Sequence, residues 1–586
     1  MKDSIHNSIQ KTKLLFKKRF VFSHTTELEG VVSSLSTSEK LLFWVLVGVL
    51  ILSTLSLFSK ANDSFLTQIE ARGGSFTEGI VGSPRFINPV LALSDADRDI
   101  VSLVYSGLLK ATPDGDLIED LAESYSVSED ERSYDFVLKE GVVFHDGKPV
   151  TVDDVIFTIS KTLDTTLKSA QRANWDGVVV QKIDDRTVRF TLAHPYAPFL
   201  QNMTLGILPK HIWQNIDSEQ FPFSGVNTAP IGSGPYKIDS VKKNSSDIPE
   251  MYTLKSFKNY ALGQPFINKI TLRFYQNEAS LVSAFDKGTI DSMNSVSPEA
   301  IAHINQERIQ TTPLPRIFAV FFNQNTAQIF SHKEVRSALD TAVDKNMLIQ
   351  KALTGYGTVI DSPIPPQSID RAIPLSFNDE TLDRVEEAKS ILLKNKWKFD
   401  EEAGVWVSPD NQPLRFSIAT SNVPELKAVA GILKSTWESV GAVVEIKVFE
   451  AGNLNQNIIR TREYDALLFG EVIGRELDLF AFWHSSQRND PGLNIALYAN
   501  ITADRLLEEG RTLLDADLRD KTYLEFEKEI KKDVPAIFLY SPDFIYIPPK
   551  FVQGISLGSV TTAGDRFLAI HTWYVRTDKV WSIFSQ

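Results

Sequence analysis

Side chains able to do chemistry are sparse and scattered along this 586-residue chain. The lack of cysteine excludes disulfides, thiolate nucleophiles, Cys-ligated zinc or iron–sulfur centres, and a lipid attached through an N-terminal Cys. The nine histidines show no paired ligand spacing, and no H-E-x-x-H, P-loop or dinucleotide fingerprint occurs. One serine in "GSGPY" (Gly232 to Tyr236) sits between glycines as a nucleophile would. The G-x-S-x-G spacing is missing, however, and Pro235 would interrupt the helix required straight after it. His145 and Asp146 stand together in "LKEGVVFHDGKPVTVDDVIFTI" (Leu138 to Ile159). Such a pair can bind a ligand, take part in catalysis or stabilise a turn, and with no second His nearby the turn role is expected. Catalysis, a cofactor and a metal site are not expected of this chain.

The elements around His145 read as scaffold. "SEDERSYDFVLKEGVVF" puts Tyr134, Phe136 and Leu138 on one strand face, and "HDGKP" supplies turn chemistry through Asp146, Gly147 and Pro149. Thr151 then reads as a helix N-cap with Asp154 three residues on, a capping box, and Val152, Val155, Ile156, Ile159 and Leu163 form one apolar stripe. Further along, "LRFSIAT" (Leu414 to Thr420) alternates as a strand. "VPELKAVAGILKSTWESVG" spaces Leu426, Val429, Leu433, Trp437 and Val440 helically, and "AVVEIKVFE" returns as a strand. This βαβ unit leads through the helix-like "NLNQNIIRTRE" into the buried strand of "YDALLFGEVIG", so a parallel sheet with right-handed crossovers is expected. Open parallel sheets bind ligands beyond the carboxyl ends of their strands. That nominates Thr420 to Asn422 and Phe469 to Ile473 as cleft-lining, with ordinary loop termini as the alternative.

At 43% hydrophobic residues, a chain this long implies roughly two to four domains. Leu41 to Ser59, "LLFWVLVGVLILSTLSLFS", has no charge and matches the hydrocarbon thickness of a bilayer, so it reads as one transmembrane span. Lys2, Lys11, Lys13, Lys17, Lys18, Arg19 and Lys40 precede it and only Lys60 follows closely. The positive-inside bias therefore puts the N-terminus in the cytoplasm and the remainder outside. "SKA" at Ser59 to Ala61 offers a signal-peptidase site, but the leader is long for a cleaved signal, and an uncleaved anchor is expected. Residues 1–60 carry net charge +4 and the rest −17; so acidic an ectodomain repels phosphate backbones, and nucleic acid is not an expected partner.

The segment order resembles the extracellular solute-binding proteins of ABC importers, specifically the peptide, dipeptide and nickel-binding family 5. The likeness runs from about Gly73 to the C-terminus. Its landmarks include "INPVLALSDADRDIVSLVYSGLLKATPDGDLIEDLAESY", "LPKHIW", "PIGSGPYKI", "INKITLRFYQNEASLVSAFDKGTIDSM", "AVFFNQNTAQIFSHKEVRSALDTAVDKNMLI", "FWHSSQ" and "IALYANITADRLLEEGRTLLDADL". The resemblance implies an α/β fold: a two-lobed periplasmic-binding-protein-like clamp with an extra small domain, preceded by one transmembrane helix. The implied boundaries are 1–40 cytoplasmic basic segment, 41–59 anchor, 60–72 linker, 73–118 with 229–315 and 546–586 lobe I, 119–228 small domain, and 316–545 lobe II. The small domain, with the His145 turn, would lie away from most of the chemistry, and "GSGPY" would be the glycine-rich crossing back into lobe I.

The resemblance further implies capture of a short peptide between the lobes, closure over two linking strands, and delivery to an ABC permease with its ATPase subunits, the clamp facing the periplasm or cell surface. Ligand main chain would pair with "FTEGI" in lobe I (Thr77, Glu78, Gly79) and "FGEVIG" in lobe II (Phe469, Gly470, Glu471, Val472, Ile473), with Asn422 nearby. Peptide binders of the family carry an Asp shortly after this second strand to hold the ligand's amino terminus, and Gly474 stands near that position. Glu471, Glu476 or Asp478 is the expected substitute, or Arg475 holds a carboxylate instead. Trp483 and His484 either line the cleft or form a core aromatic with its hydrogen-bonded neighbour. A sensing receptor without transport and a binder of an oligosaccharide or metal complex are the alternatives, and an anchored hydrolase is disfavoured.

Overall fold

Two stretches of chain, 310–322 and 536–547, set the architecture of the ligand-binding part. A computed structural model describes residues 32–64, 66–366, 368 and 381–581; the basic residues from Lys2 to Arg19 that set the expected orientation lie outside them. The chain forms two compact units, Met1–Glu70 with Thr577–Gln586, and Ala71–Arg576.

The first unit holds a helix, Thr37–Ser64. Its segment Thr37–Lys60 is apolar enough and long enough to cross a membrane, and none of it is buried within the protein. A helix of this length and apolarity near the N-terminus fits either a membrane anchor or a signal. The stretch 60–72 is no open linker. The helix continues to Ser64, and Leu66–Ala71 is a strand paired with Arg576–Trp581. The C-terminal residues supply main-chain partners that the local sequence cannot announce.

In the second unit the long strand Ala536–Ile547 runs through a twelve-stranded sheet shared by both lobes. Its first half pairs with Arg316–Phe322, and its second half with Gln310–Pro313 and Ser292–Asn294. The crossing between lobes lies where the Leu314 N–H donates to the Pro542 carbonyl at 2.9 Å. Lobe II thus ends near residue 542 rather than 545, because Phe544 and Tyr546 pack into the lobe I core.

Lobe II contains the expected βαβ unit. Arg415–Ser421 pairs in parallel with Val443–Phe449 and with Ala466–Leu467. Helix Pro424–Val440 buries Leu426, Val429, Leu433, Trp437 and Val440 on one stripe and ends at Gly441 in the left-handed conformation. Both sheet faces are covered, so alternate residues of one strand enter different cores: Val320 and Phe322 on one side, Ile317, Ala319 and Phe321 on the other. A sheet buried on both faces needs unbroken apolar runs, which "AVFF" and "ALL" provide.

The small domain is a four-stranded sheet with helix Val152–Leu163. Tyr134, Phe136 and Leu138 are buried on one face, and the Thr151–Asp154 capping box is present. Its core extends from Leu108 to Ile207, whereas Leu208, Trp213 and Phe221 belong to the lobe I core. The domain is therefore shifted by about ten to twenty residues from 119–228, since apolar contacts and not chain order define it. His145 and Asp146 are scaffold: His145 Nε2 meets the Gly234 carbonyl at 3.0 Å, and Asp146 meets His211 at 2.8 Å and accepts from the Lys148 N–H. Gly232 and Gly234 press on the end of helix Asp95–Val104, where a Cβ would stand 2.1 Å from the Val104 carbonyl oxygen for the former. That close approach is what the glycines of "GSGPY" permit.

Candidate functional site

Two cavities lie where the lobes meet, and the helical turn Ala563–Phe567 borders both. The first, of about 510 Å³, is lined by lobe I (Pro89, Ala92, Arg98, Tyr105), the small domain (Gln171, Trp175, Gln201, Asn202), and Gly474 and Arg475 of lobe II. The second, of about 650 Å³, is lined by Ser295–Glu299, Arg316, Phe318, Val423–Glu425 and the crossing residues Pro542–Ile545. Both volumes lie in the range of roughly 300–1,000 Å³ usual for small-molecule sites. Residues just past Asn294, Ser421 and Val472, the carboxyl ends of sheet strands, line the cavities, whereas the nominated Thr420 to Asn422 line neither.

The lobes are clasped together. Arg475 of lobe II donates to Asp565 Oδ2 at 2.6 Å and to the Ser559 carbonyl at 3.0 Å, both on lobe I. On the rim, the Tyr196 hydroxyl of the small domain donates to Asp478 Oδ2 at 3.1 Å, and Gln201 Nε2 to Glu476 Oε1 at 3.3 Å. Arg511 holds Asp478 from behind and lies 4.4 Å over the Phe480 ring, while Arg519 stands 3.7 Å from Glu476. The small domain is thus part of the cleft rather than remote from it: a turn of 3-10 helix, Ala197–Thr204, carries it up to lobe II.

The residues nominated from sequence separate into groups. Thr77, Glu78 and Gly79 are not at the cleft surface, which corrects the lobe I half of the strand-pairing expectation. Their strand is flanked on both sides, by Lys269–Tyr275 and by Ser292–Met293. The Thr77 N–H is taken by Asp291 at 2.8 Å, and a Cβ on Gly79 would lie 2.4 Å from Leu281. Glu78 is fully buried and joins Arg566 at 2.9 Å, Asn294 at 3.1 Å and Ser292. Arg566 also grips both oxygens of Asp99 at 2.8 Å. That cluster ties three chain segments of lobe I together, a structural use of charge.

In lobe II, Phe469, Gly470, Glu471 and Val472 pair along one edge with Arg316–Ala319, and beyond Leu467 no strand among the described residues covers the other edge. This stretch and Ile473 lie on neither cavity wall. Glu471 points into the protein, 4% exposed, and neither carboxylate oxygen has a partner among the described residues. Burial pushes its carboxyl well above the usual range. Asn422 is exposed and donates to Glu450 at 2.7 Å. Trp483 is core, fully buried near Phe321 and Phe538. His484 is its hydrogen-bonded neighbour, meeting Ser486 at 2.8 Å and stacking on Phe480. Neither residue of that pair lies on a cavity wall. Among the described residues no three His, Asp or Glu side chains are grouped to hold a metal ion.

Not singled out from sequence were Lys110, Asp120 and Gln201, which line the first cavity, and Tyr196, Arg511 and Arg519, which make or support the rim contacts. The only available signal was a charge at each end of "KATPDGDLIED", a turn sequence between apolar runs. On the second cavity, the Tyr540 hydroxyl donates to Glu425 at 2.6 Å and its ring stacks on Phe318 at 5.0 Å. Burial raises Glu425 and pushes Asp543 up to about 6.

Two lobes joined by a pair of crossing strands and bridged across half-open cavities of mixed polar and apolar lining define a clamp for a solute. The chain belongs to the bacterial extracellular solute-binding proteins of family 5, whose middle-region model matches residues 116–490. It is 28% identical over 500 residues to the oligopeptide-binding protein AppA of Bacillus subtilis, covering 82% of this chain and 89% of the relative. The structure of that protein in complex with a nonapeptide superposes with TM-score 0.65 at 26% identity, covering 87% of this chain and all of the other. NikZ from Campylobacter jejuni in complex with Ni(L-His) is equally similar in fold, with TM-score 0.65 at 25% identity and coverage of 85% and 99%.

Proposed function

We propose that this chain captures short peptides between its lobes outside the cell and delivers them to the permease of an ABC importer, whose ATPase subunits drive uptake. The contacts across the cleft carry the reading: Arg475 with Asp565, and Tyr196 with Asp478, join lobe II to lobe I and to the small domain around a cavity. Closure buries a ligand and gives the permease a distinct state to dock, since a ligand shifts a two-state clamp only by binding one state better. The names of the relatives support a peptide as the ligand. Any main-chain pairing of the ligand falls outside Phe469–Val472, since that stretch lies on neither cavity wall. The apolar helix Thr37–Ser64 is the anchor, with the N-terminus in the cytoplasm, and holds the clamp near its permease at raised effective concentration. The clamp acts by binding and release, without catalysis.

Native mass spectrometry of the full-length protein, extracted gently in detergent without refolding, tests this. Co-purified masses that fragment as peptides support it; a sugar or metal-chelate mass on the clamp overturns the ligand class.

A further inference from the structure

One end of the first cavity is built by a hairpin that carries two charges. Leu109–Ala111 pairs antiparallel with Leu117–Glu119, Lys110 opposite Ile118, and the Asp120 N–H donates to the Leu108 carbonyl at 3.0 Å. This register puts the side chains of Lys110 and Asp120 on the same face, and both line the cavity. Asp120 is 2% exposed and its Oδ1 has no partner among the described residues. Lys110 Nζ donates to the Tyr260 hydroxyl at 2.9 Å, leaving further N–H groups for an incoming acceptor. Burial raises the Asp120 carboxyl and lowers the Lys110 ammonium; each opposes the other's shift by its charge, and hydrogen bonding from Ser106 and Tyr260 and the Lys139 charge also favour the Asp120 carboxylate, while its Oδ1 stays without a partner.

The other acidic groups around this cavity are engaged. Asp565 receives Arg475 and the Thr561 and Thr562 N–H groups. Asp478 and Glu476 are held by Arg511 and Arg519, and Glu471 lies off the wall. A buried carboxylate oxygen without a donor is costly, and a ligand that brings one relieves that cost on entry. An acceptor and a donor on one face of the hairpin call for a donor and an acceptor close together on one ligand. A free amino-terminal residue has both, an ammonium two bonds from its own carbonyl.

We propose that Asp120 and Lys110 form the subsite for the amino-terminal residue of a peptide, its ammonium donating to Asp120 and its carbonyl accepting from Lys110. This rests on the peptide reading above and replaces a lobe II carboxylate with one at the border of lobe I and the small domain. A lysine side chain of the ligand offers the ammonium without the neighbouring carbonyl.

The test is calorimetric titration of the full-length protein in detergent with an equimolar tripeptide library, its N-acetylated counterpart, and a lysine-free version of each. The expected result is binding of the free library and at least tenfold weaker binding of the acetylated one. Asp120→Asn should lose at least tenfold for the free library and nothing for the acetylated one, with an unchanged melting curve. Lys110→Met should weaken the free library while keeping its preference over the acetylated one, and carries the comparison if Asp120→Asn does not fold. Equal binding of free and acetylated libraries in the wild type overturns the subsite and leaves the peptide reading standing. Acetylated peptides that bind only when they contain lysine reassign Asp120 to a side-chain ammonium and overturn the terminal assignment. Binding of neither library overturns both.

Discussion

Replacing Arg475 by Ala should open the clamp. The guanidinium reaches from lobe II to Asp565 at 2.6 Å and the Ser559 carbonyl at 3.0 Å, and its side chain is only 12% exposed against 19% for Asp565. Hydrogen bonds to charged groups contribute about 1.5–3 kcal/mol. Partial solvent access reduces the ion-pair share, so the closed state loses about 2 kcal/mol in all. The open state loses nothing, because the two residues then belong to separated lobes. The closed-to-open ratio should fall roughly 30-fold, since 1.4 kcal/mol is a factor of ten. A ligand that needs the closed form loses affinity by up to the same factor, as the apparent Kd scales inversely with the competent fraction. Small-angle X-ray scattering of the ligand-free protein should show a larger radius of gyration for the variant, and calorimetry with the tripeptide library a weaker Kd. Unchanged values in both, for Arg475→Ala and Asp565→Asn alike, would refute the view that this contact governs closure.

Further outcomes follow from the buried charges. Arg566→Met strands Glu78 and Asp99, both fully buried, and should cost about 3–5 kcal/mol; a calorimetric loss below about 1 kcal/mol would show that the cluster is not structural. Asp543, with its carboxyl pushed up to about 6 by burial against about 3.9 unfolded, binds its proton more tightly in the folded state. Its contribution to stability is complete below pH 4 and is lost as pH rises through 6. Asp543→Asn removes that dependence, so its melting temperature should gain on the wild type between pH 4 and 7, and a constant difference would contradict the burial. Glu471→Gln should keep the fold and leave peptide binding unchanged, because the side chain lies on neither cavity wall; lost binding in a folded variant would restore Glu471 to the site.

The local devices were legible because short-range rules decide them. The Thr151–Asp154 capping box, the stripe on Pro424–Val440, the period-two strands of the small domain and the apolar run of Leu41 to Ser59 each need only a neighbour within a turn or two of chain. The order of such segments was enough to mark the family. The cleft itself was legible only in outline. "FTEGI" and "FGEVIG" look alike as strands, yet the first has both edges occupied and the second has one free, a difference set by strands about 150 or more residues distant in the chain. Glu78 and Glu471 are both buried acids on strands; one meets an arginine 488 residues away and the other meets none. Sequence alone thus determined the class of fold, the long apolar N-terminal helix and the lack of cysteine chemistry, because these depend on composition and local period. Which charges face the cavity was decided only by the tertiary structure, since partners far apart in the chain determine whether a carboxylate is neutralised, buried or left free to receive a ligand.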